Sequence, residues 1–394
     1  MSELVEKRVA GVLATHKQKG TYRRLGLKSY EGVDFISNDY LGYARNKKIF
    51  DSFTQSLQKK VEGLDRYLGS TGSRLLSGNS DVAEETEATI AEYFCAKESL
   101  FFQSGYQLNV SLLQGLCEPE DIIVLDENAH TSIKNGAKLA KSSCFYFYHN
   151  SADHLEKRLK RIRINNKHRA AIWVYLEGVD SMAGDLTPLR DFVSLAQKYD
   201  CQLIVDEAHS TGIFGEKGKG LCVKENLQDN ISCRVITFGK SWGVSGAALC
   251  CSPAIKKLLI NRCHGFIYST APSLLQLLSV KEVLAYRKKD LLSVKNLFSN
   301  IDYFSKQLGL TPHHNTPIFA LIWKGSLVSL RKQADHLCNK GFLVKPVFSP
   351  TVRRGFERLR ICLHSTHTRR DLDTLAEELY SYVQDGRFIL YNRH

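Results

Sequence analysis

Short apolar runs alternate with helical patterns through the middle of the chain. Each run is nearly continuous in hydrophobicity and rich in β-branched or aromatic residues; the runs are Leu100–Phe102, Ile122–Leu125, Ala171–Leu176, Leu203–Val205 and Val235–Phe238. Strands that are buried on both faces of a mainly parallel sheet have this composition. A helix is predicted over residues 82–94, where side chains recur at helical spacing after candidate N-caps at 79–81. The pattern predicts an α/β fold with a mainly parallel central sheet and flanking helices.

The alternation changes after about residue 275. Strands are predicted at Ile318–Trp323 and Arg358–Leu363, and helices are predicted at 326–340 and 369–384. This mixture is typical of a smaller α+β domain. The sequence therefore predicts three parts, which are an N-terminal helix and arm (1–45), a large α/β domain (46–275) and a small C-terminal α+β domain (276–394).

The composition is that of an ordinary globular protein, with 43% hydrophobic and 24% charged residues among 394. No apolar run is long enough to cross a bilayer, and residues 1–20 are too polar for a secretory signal. A cytoplasmic protein without a membrane partner is therefore expected. The eleven cysteines include no CxxC pair, which argues against a zinc site and against a disulfide framework.

The chain is basic, since 54 lysines and arginines against 41 acidic residues give a net charge of +13. Such a balance is typical of proteins that bind nucleic acid or a phosphate-rich small substrate. A general compositional bias explains it equally well, so charge alone does not choose a partner.

Polar residues follow each of the apolar runs at the point where a predicted strand ends. The polar segments are Gln103–Tyr106, Asp126–His130, Glu177–Ser181, Asp206–His209 and Gly239–Lys240. In parallel α/β sheets, ligands bind beyond the carboxyl ends of the strands. One polar strand end is usually a solvated loop, whereas five in series predict a single cleft.

Asp206 and Lys240 together indicate the chemistry of pyridoxal 5′-phosphate (PLP). Such chemistry needs a lysine that holds the cofactor's aldehyde and a carboxylate that keeps the pyridine nitrogen protonated. Lys240 lies 34 residues after Asp206, about one strand–helix–strand step, between an apolar strand and a turn of small residues. His209 is placed to bond the phenolic oxygen. An aspartate alone at this position would be interpreted as a helix cap, and a lysine alone would be interpreted as a surface residue. The PLP prediction therefore depends on finding Asp206 and Lys240 together.

The same cleft has candidates for the phosphate and for the ring. Ser104, Gly105 and Tyr106 precede a predicted helix, Leu108–Leu116, whose first N–H groups would suit a phosphate. Thr237 precedes the turn that carries the lysine. His130 could stack on the ring, although a turn histidine bonded to local backbone has the same spacing.

Eight segments resemble the α-oxoamine synthase family of fold-type I PLP enzymes. They are SNDYLG (37–42), GSTGSRLLSGN (69–79), QSGYQLN (103–109), LEGVDSMAGDLTPL (176–189), VDEAHSTGIFGEKGKG (205–220), VITFGKSWGVSGAA (235–248), IYSTAPS (267–273) and RLRICL (358–363). The resemblance runs from Phe35 to about Leu379, and the order of the motifs makes it specific. It implies a fold-type I PLP-dependent transferase that acts as an acyltransferase.

The resemblance also implies roles for cofactor residues. The residues implied to contact PLP are Gly105, Tyr106, His130, Ser181, Asp206, His209, Thr237, Lys240 and Thr270. Lys240 would hold PLP as a Schiff base and act as general base, Asp206 would pair with the pyridine nitrogen, and His130 would stack on the ring. His209 and Ser181 would contact the phenolic side. The phosphate would be bound by Gly105, Tyr106, Thr237 and Thr270. Thr270 would come from the second subunit of a homodimer.

Substrate residues are implied in the same way. Arg360 would grip the amino-acid carboxylate, for which a planar bidentate donor is suited, and Asn38, Thr351 and Arg23 would contact substrate. The wording of the motifs is most similar to the family members of biotin synthesis. These join L-alanine to pimeloyl-CoA, or to a pimeloyl carrier protein, and release CO₂.

Other functions compete with this one. Sister members of the family use glycine with acetyl-CoA, glycine with succinyl-CoA, or serine with a long acyl-CoA. Asp206–His209 spells the DEAH box of RNA helicases, which would also need a Walker A loop to bind ATP. The Gly239-Lys240 pair lacks the glycine that such a loop has five residues earlier, where this chain has Arg234. No nucleic-acid partner is therefore expected. A non-catalytic partner subunit typically lacks the lysine that this chain keeps at Lys240.

Overall fold

The structure is a computed structural model that describes residues 2–18, 21–23, 25, 31–62, 68–166, 170–310 and 315–391. The chain divides into two compact units. The small unit contains Met1–Ser37, Asn300–Leu363 and His367–His394, and the large unit contains Asn38–Ser299 and His364–Thr366. The three-part domain division stays a prediction, because compactness alone does not test which parts fold independently.

The strands are short, as the apolar runs predict. In chain order they are β1 (Val33–Asp34), β2 (Glu98–Phe102), β3 (Ile122–Asp126), β4 (Ser143–Phe147), β5 (Ile172–Glu177), β6 (Gln202–Asp206), β7 (Cys233–Thr237), β8 (Ala247–Cys251), β9 (Ile318–Trp323), β10 (Phe342–Leu343), β11 (Lys345–Val347), β12 (Arg358–Cys362) and β13 (Phe388–Leu390). Every strand predicted from the sequence is confirmed to within two residues at either end.

The α-helices separate most of these strands. In chain order they are α1 (Glu3–Gln18), α2 (Lys47–Val61), α3 (Asp81–Tyr93), α4 (Gly105–Leu116), α5 (Thr131–Leu139), α6 (Ala152–Asn166), α7 (Leu189–Lys198), α8 (Leu221–Lys224), α9 (Pro253–Arg262), α10 (His264–Ile267), α11 (Leu274–Lys289), α12 (Ser293–Gln307), α13 (Leu327–Asn339) and α14 (Arg369–Gln384). The predicted start of α3 is confirmed, since the Ser80 hydroxyl accepts the N–H of Ala83 at 3.3 Å.

The large unit is built on one sheet in the order β2-β8-β7-β6-β5-β3-β4. β8 runs antiparallel to both of its neighbours, and the other pairings are parallel. The mainly parallel sheet is therefore confirmed. β3, β5 and β7 are buried along their whole length, which explains their continuous apolar sequences.

Two apolar layers cover the faces of this sheet. Successive strand residues point to opposite faces, so Ile123 packs on the side of α4, α5 and α9, whereas Val124 packs on the side of α6 and α7. Leu112 of α4 and Phe192 of α7 are buried in these two layers. Burying a side chain of this size contributes about 1.5–3 kcal/mol, so the layers hold the strand ends in fixed positions.

The small unit has its own sheets. One has the antiparallel order β11-β12-β9-β13, and the other pairs β1 with β10 in parallel. The sequence-predicted helices at 326–340 and 369–384 are confirmed as α13 and α14. A capping box begins α14, because the Thr368 hydroxyl accepts the N–H of Asp371 while the Asp371 carboxylate accepts the N–H of Thr368. In the part of the chain that the structure describes, no helix combines the length and the apolarity needed to span a bilayer.

Candidate active site

The carboxyl ends of the large-unit strands bring acidic side chains to one edge of the sheet, here called the carboxyl edge. β3, β5, β6 and β7 lie side by side and parallel, and β2 runs the same way beyond β8. Asp126 ends β3, Glu177 ends β5 and Asp206 ends β6, with Glu177 directly opposite Asp206 in the register. All three are buried. The five polar segments predicted to share a cleft therefore lie along one edge.

Lys240 lies three residues after β7, in the turn that leads into β8. Its Nζ is 2.8 Å from Nε2 of His209. Nδ1 of His209 is 2.8 Å from the hydroxyl of Tyr40, and this hydroxyl donates to Oδ1 of Asn38 at 3.0 Å. These contacts connect three residues that the sequence predicts for the site, and they add the buried Tyr40, which it does not.

Asp206 is held from two sides. Its Oδ2 accepts from Nδ2 of Asn109 at 2.8 Å, and its Oδ1 accepts the N–H of Ala208 at 2.9 Å. The Asn109 side chain is held in turn by the hydroxyl of Tyr175, which donates to Oδ1 at 2.7 Å. Asn109 and Tyr175 are both buried. The carboxylate is therefore fixed in orientation, as a partner for a protonated ring nitrogen needs to be.

His130 is the N-cap residue of α5. Its Nδ1 accepts the N–H of Ser132 at 3.3 Å and lies 2.6 Å from the Ser132 hydroxyl. Burial lowers the pKa of His130, while the charge of Asp206 raises it and that of Lys240 lowers it further. The His130 ring thus has the local bonds of a turn histidine, and it lies close enough to Asp206 and Lys240 for their charges to affect its pKa. Its stacking on PLP stays a prediction.

The start of α4 lies directly beside the end of β7. A Cβ on Gly105 would lie 2.5 Å from Cγ2 of Thr237, so only glycine allows this close approach. Oγ1 of Thr237 is buried and has no hydrogen-bond partner among the residues that the structure describes. A buried hydroxyl without a partner costs about 1–3 kcal/mol. Together with the N–H groups at the start of α4, it fits the phosphate of PLP, and Tyr106 lies there half-exposed.

Glu177 is the carboxyl group whose ionisation is most strongly affected. Burial, followed by the negative charges of Asp180 and Asp206, raises the pKa of Glu177 well above its usual range, against an opposing effect of Lys240. Burial and these two neighbouring charges therefore favour the neutral form of the Glu177 carboxyl group. The neutral form places no second negative charge directly opposite Asp206.

Ser181 lies in the loop 178–187, which follows β5. The loop closes on itself, because the N–H of Asp180 donates to the carbonyl of Asp185 at 3.0 Å. Oδ1 of Asp180 also accepts the N–H groups of Met182 and Ala183, at 2.8 and 2.5 Å. Ser181 is buried. The loop therefore keeps a predicted cofactor residue close to the carboxyl edge.

The remaining predicted residues lie in other places. Arg360 is buried in β12 of the small unit, where its Nη1 donates to Sγ of Cys362 at 2.8 Å. Thr351 and Arg23 of the small unit are exposed, and so is Thr270 of the large unit. Their contacts with substrate or phosphate stay predictions.

Sequence reasoning did not single out four buried residues that lie at or next to the carboxyl edge, which are Asn109, Tyr175, Tyr40 and His149. Asn109 of α4 and Tyr175 of β5 are buried beside apolar side chains, and a polar group at a core position was the available signal. Tyr40 lies inside the SNDYLG motif but looks like an ordinary core aromatic. His149 follows β4, which was not predicted as a strand because most of its residues are exposed.

Several known proteins are similar to the chain along most of its length. The model of the family described as aminotransferase class I and II matches residues 30–379. The 8-amino-7-oxononanoate synthase of Emericella nidulans is 32% identical over 391 residues, covering 94% of this chain and 94% of that protein. The chain belongs to this aminotransferase family, as an α-oxoamine synthase. A second relative in the family, the 8-amino-7-oxononanoate synthase of Buchnera aphidicola, is 31% identical over 92% of each chain.

The α-oxoamine synthase assignment agrees with the fold. The serine palmitoyltransferase of Sphingomonas wittichii superposes with a TM-score of 0.85 at 23% identity, covering 98% of this chain and 99% of that one. At this identity the likeness concerns the fold alone. The predicted fold class, a fold-type I PLP-dependent transferase, is confirmed, as are PLP as cofactor and an enzyme of acyltransferase type.

Proposed function

We propose that the chain joins L-alanine to a pimeloyl thioester, carried by CoA or by a carrier protein, and releases CO₂ to form 8-amino-7-oxononanoate. The names of the relatives support this choice of substrates. The observation that carries the PLP chemistry of this reaction is the contact of 2.8 Å between Nζ of Lys240 and Nε2 of His209, together with the Asp206 carboxylate that Asn109 holds in a fixed orientation. An amino acid and an acyl thioester are the substrate classes of α-oxoamine synthases.

The residues that would hold PLP follow from this arrangement. Lys240 would bind it covalently, Asp206 would hold the proton on its ring nitrogen, and His130 would cover one face. His209 and Ser181 would bond its phenolic side. The phosphate would be bound by Gly105, Tyr106, Thr237 and, from a second copy of the chain, Thr270.

When bound, PLP supplies a sink for the electron pair that remains on Cα after a proton or CO₂ leaves. Lys240, once released from the cofactor, would take the Cα proton of L-alanine. His209, with its Nε2 beside Nζ, would steer that amine and exchange a proton with it. Arg360 would hold the carboxylate of the amino acid, with Asn38, Thr351 and Arg23 as further substrate contacts. A positioned base typically contributes about 10²–10⁴-fold to the rate.

Borohydride reduction tests the cofactor assignment. We expect the purified protein to absorb visible light, and reduction should attach the cofactor permanently to the peptide that contains Lys240, as read by mass spectrometry. K240A should lose the attachment and about 10²–10⁴-fold of the activity. K47A, at a lysine whose side chain is 83% exposed, is the matched control. Absence of the attachment in the wild type would refute the proposal.

Titration with amino acids tests the substrates. L-alanine should change the spectrum at lower concentration than glycine or L-serine, and pimeloyl-CoA should then give CO₂ and 8-amino-7-oxononanoate. A preference for glycine with a short acyl-CoA, or for serine with a long one, would assign the chain to a sister activity with the same cofactor residues.

A further inference from the structure

His149 follows β4 and lies among three carboxylates at the carboxyl edge. Its Nδ1 is 2.9 Å from both carboxylate oxygens of Asp126. Its Nε2 is 3.0 and 3.2 Å from the two oxygens of Asp185, and 3.8 Å from Oδ2 of Asp180. The side chain of His149 is buried. Each ring nitrogen therefore faces carboxylate oxygens from a different segment of the chain.

This geometry determines the charge on the ring. An ionised carboxylate only accepts hydrogen bonds, so both ring nitrogens of His149 must carry a proton for both bonds to form. The ring is then an imidazolium cation. Burial acts to lower the pKa of His149, but the hydrogen bonds to Asp126 and Asp185 outweigh it and raise the pKa to about 11. The positive charge therefore persists through neutral and mildly alkaline pH.

Asn150 makes a parallel set of bonds between the same two segments. Its N–H donates to Oδ2 of Asp126 at 3.0 Å, and its Nδ2 donates to Oδ2 of Asp185 at 2.9 Å. Its Oδ1 accepts from the hydroxyl of Thr187 at 2.8 Å. His149 and Asn150 together tie the end of β3 to the loop 178–187, which carries Ser181.

The charges around His149 explain why a cation is needed there. Three carboxylates face its ring, from Asp126 of β3 and from Asp180 and Asp185 of the loop 178–187. The backbone N–H of His149 donates to Oε1 of Glu127 at 3.3 Å. Asp126 and Asp180 are buried and Asp185 is partly exposed, so bringing these carboxylates this close without a cation would be unfavourable. The positive ring charge lowers the pKa of Asp185 through the hydrogen bond between them, against the effect of burial.

We infer that His149 is a positioning residue of the PLP site, whose cationic ring holds Asp126 and Asp185 together, fixes the loop that carries Ser181, and offsets the negative charge of the carboxyl edge. The inference rests on the proposed function for the place of the cofactor. The charge on the ring does not depend on it, so the two can fail separately.

The charge can be measured in the wild-type protein. In a sample with ¹⁵N-labelled histidine, the signals of His149, assigned by their loss in H149Q, should show two protonated ring nitrogens from pH 6 to about pH 9, as the two carboxylate contacts require. A neutral tautomer in this range would overturn the inference. So would a stoichiometric divalent metal ion in the purified protein, because a metal on Nε2 would displace the proton.

Variants test the link to the cofactor. H149Q should weaken PLP binding about tenfold or more, because the loop keeps only the bonds of Asn150 and the buried carboxylates are left uncompensated. The added negative charge should also move the alkaline change of the cofactor's visible band to higher pH, by up to about one unit. H149Q/D185N removes the excess charge and should recover most of both effects. H336Q is the matched control, since His336 pairs with Glu378 at a surface of the small unit.

The outcomes separate the two proposals. If the wild type binds PLP but H149Q has the same affinity and the same spectral transition, His149 has no positioning role. If the double variant recovers neither property, charge compensation is refuted even where H149Q alone folds poorly. If the wild type does not bind PLP, the proposed function fails, while the charge of His149 remains testable by the histidine signals.

Discussion

At the scale of single residues, the hydroxyl of Thr237 is evidence for a ligand. It is buried at the end of β7 and lacks a hydrogen-bond partner within the described part of the chain. Such a group destabilises the protein unless a bound molecule uses it. Gly105 approaches the methyl group of Thr237 so closely that a side chain at position 105 would clash with it. We therefore expect Thr237 to favour ligand binding at the expense of stability.

T237V should separate these two effects. Valine keeps the shape of threonine and removes the hydroxyl, so the PLP-free protein should unfold at the same or a higher temperature. A hydrogen bond to a charged group contributes about 1.5–3 kcal/mol, so PLP should bind about 10–100-fold more weakly. Thermal unfolding without PLP and fluorescence titration with PLP measure the two quantities.

S305A is the control for this prediction. Ser305 also has a buried hydroxyl without a described partner, but it lies in the small unit. S305A should keep or raise the stability and leave PLP affinity unchanged. A T237V variant that binds PLP as tightly as the wild type would contradict the assignment of Thr237 to the phosphate.

The sequence predicted Lys240, His209 and Asp206 because each follows a recognisable buried strand. The residues that orient them could not be predicted in the same way. Asn109 acts through a contact between side chains from distant parts of the chain, and Tyr40 is 169 residues from His209. Sequence spacing gives no measure of such distances, which only the packed sheet and helices determine.

At the scale of elements, the ends of β3 and β4 and the loop after β5 form one charged assembly around His149. The pKa of His149 rises from 6.5 to about 11 in the folded protein. Because the folded state binds this proton more tightly than the unfolded chain, the stabilisation is complete below about pH 6.5 and is lost as the pH rises toward 11.

The pH dependence of stability should therefore differ between the wild type and H149Q. The free energy of unfolding of the wild type, relative to that of H149Q, should fall between pH 7 and 10 by up to about 1.4 kcal/mol per pH unit. Urea unfolding at several pH values measures this difference. Parallel curves for the two proteins would show that the proton on His149 is not linked to folding.

Elements differed in how well the sequence predicted them. β3, β5 and β9 have continuous apolar runs, and their predicted bounds agree with the structure to within a residue or two. β4 lies at an edge of the sheet with three of its five residues exposed, so it lacks such a run. β8 begins with small residues that look like the end of the lysine turn. Partial exposure and small side chains remove the pattern on which strand prediction depends.

At the scale of the whole molecule, two copies of the chain should form the working enzyme. Thr270 is exposed in the single chain, and we expect it to contact the phosphate bound by a second copy. Light scattering should give a mass twice that of the 44.5 kDa chain. T270V should weaken PLP binding without changing that mass, and a monomer that binds PLP fully would contradict the shared site.

The reversed direction of β8 has a consequence for the order of folding. Thr237 pairs with Ala247 across the short turn that contains Lys240, whereas Phe102 pairs with the same Ala247 from a distant part of the chain. Closing a short loop loses less chain entropy than closing a long one, and local contacts form faster. The hairpin around Lys240 can therefore assemble on its own, and β2 completes the sheet edge afterwards.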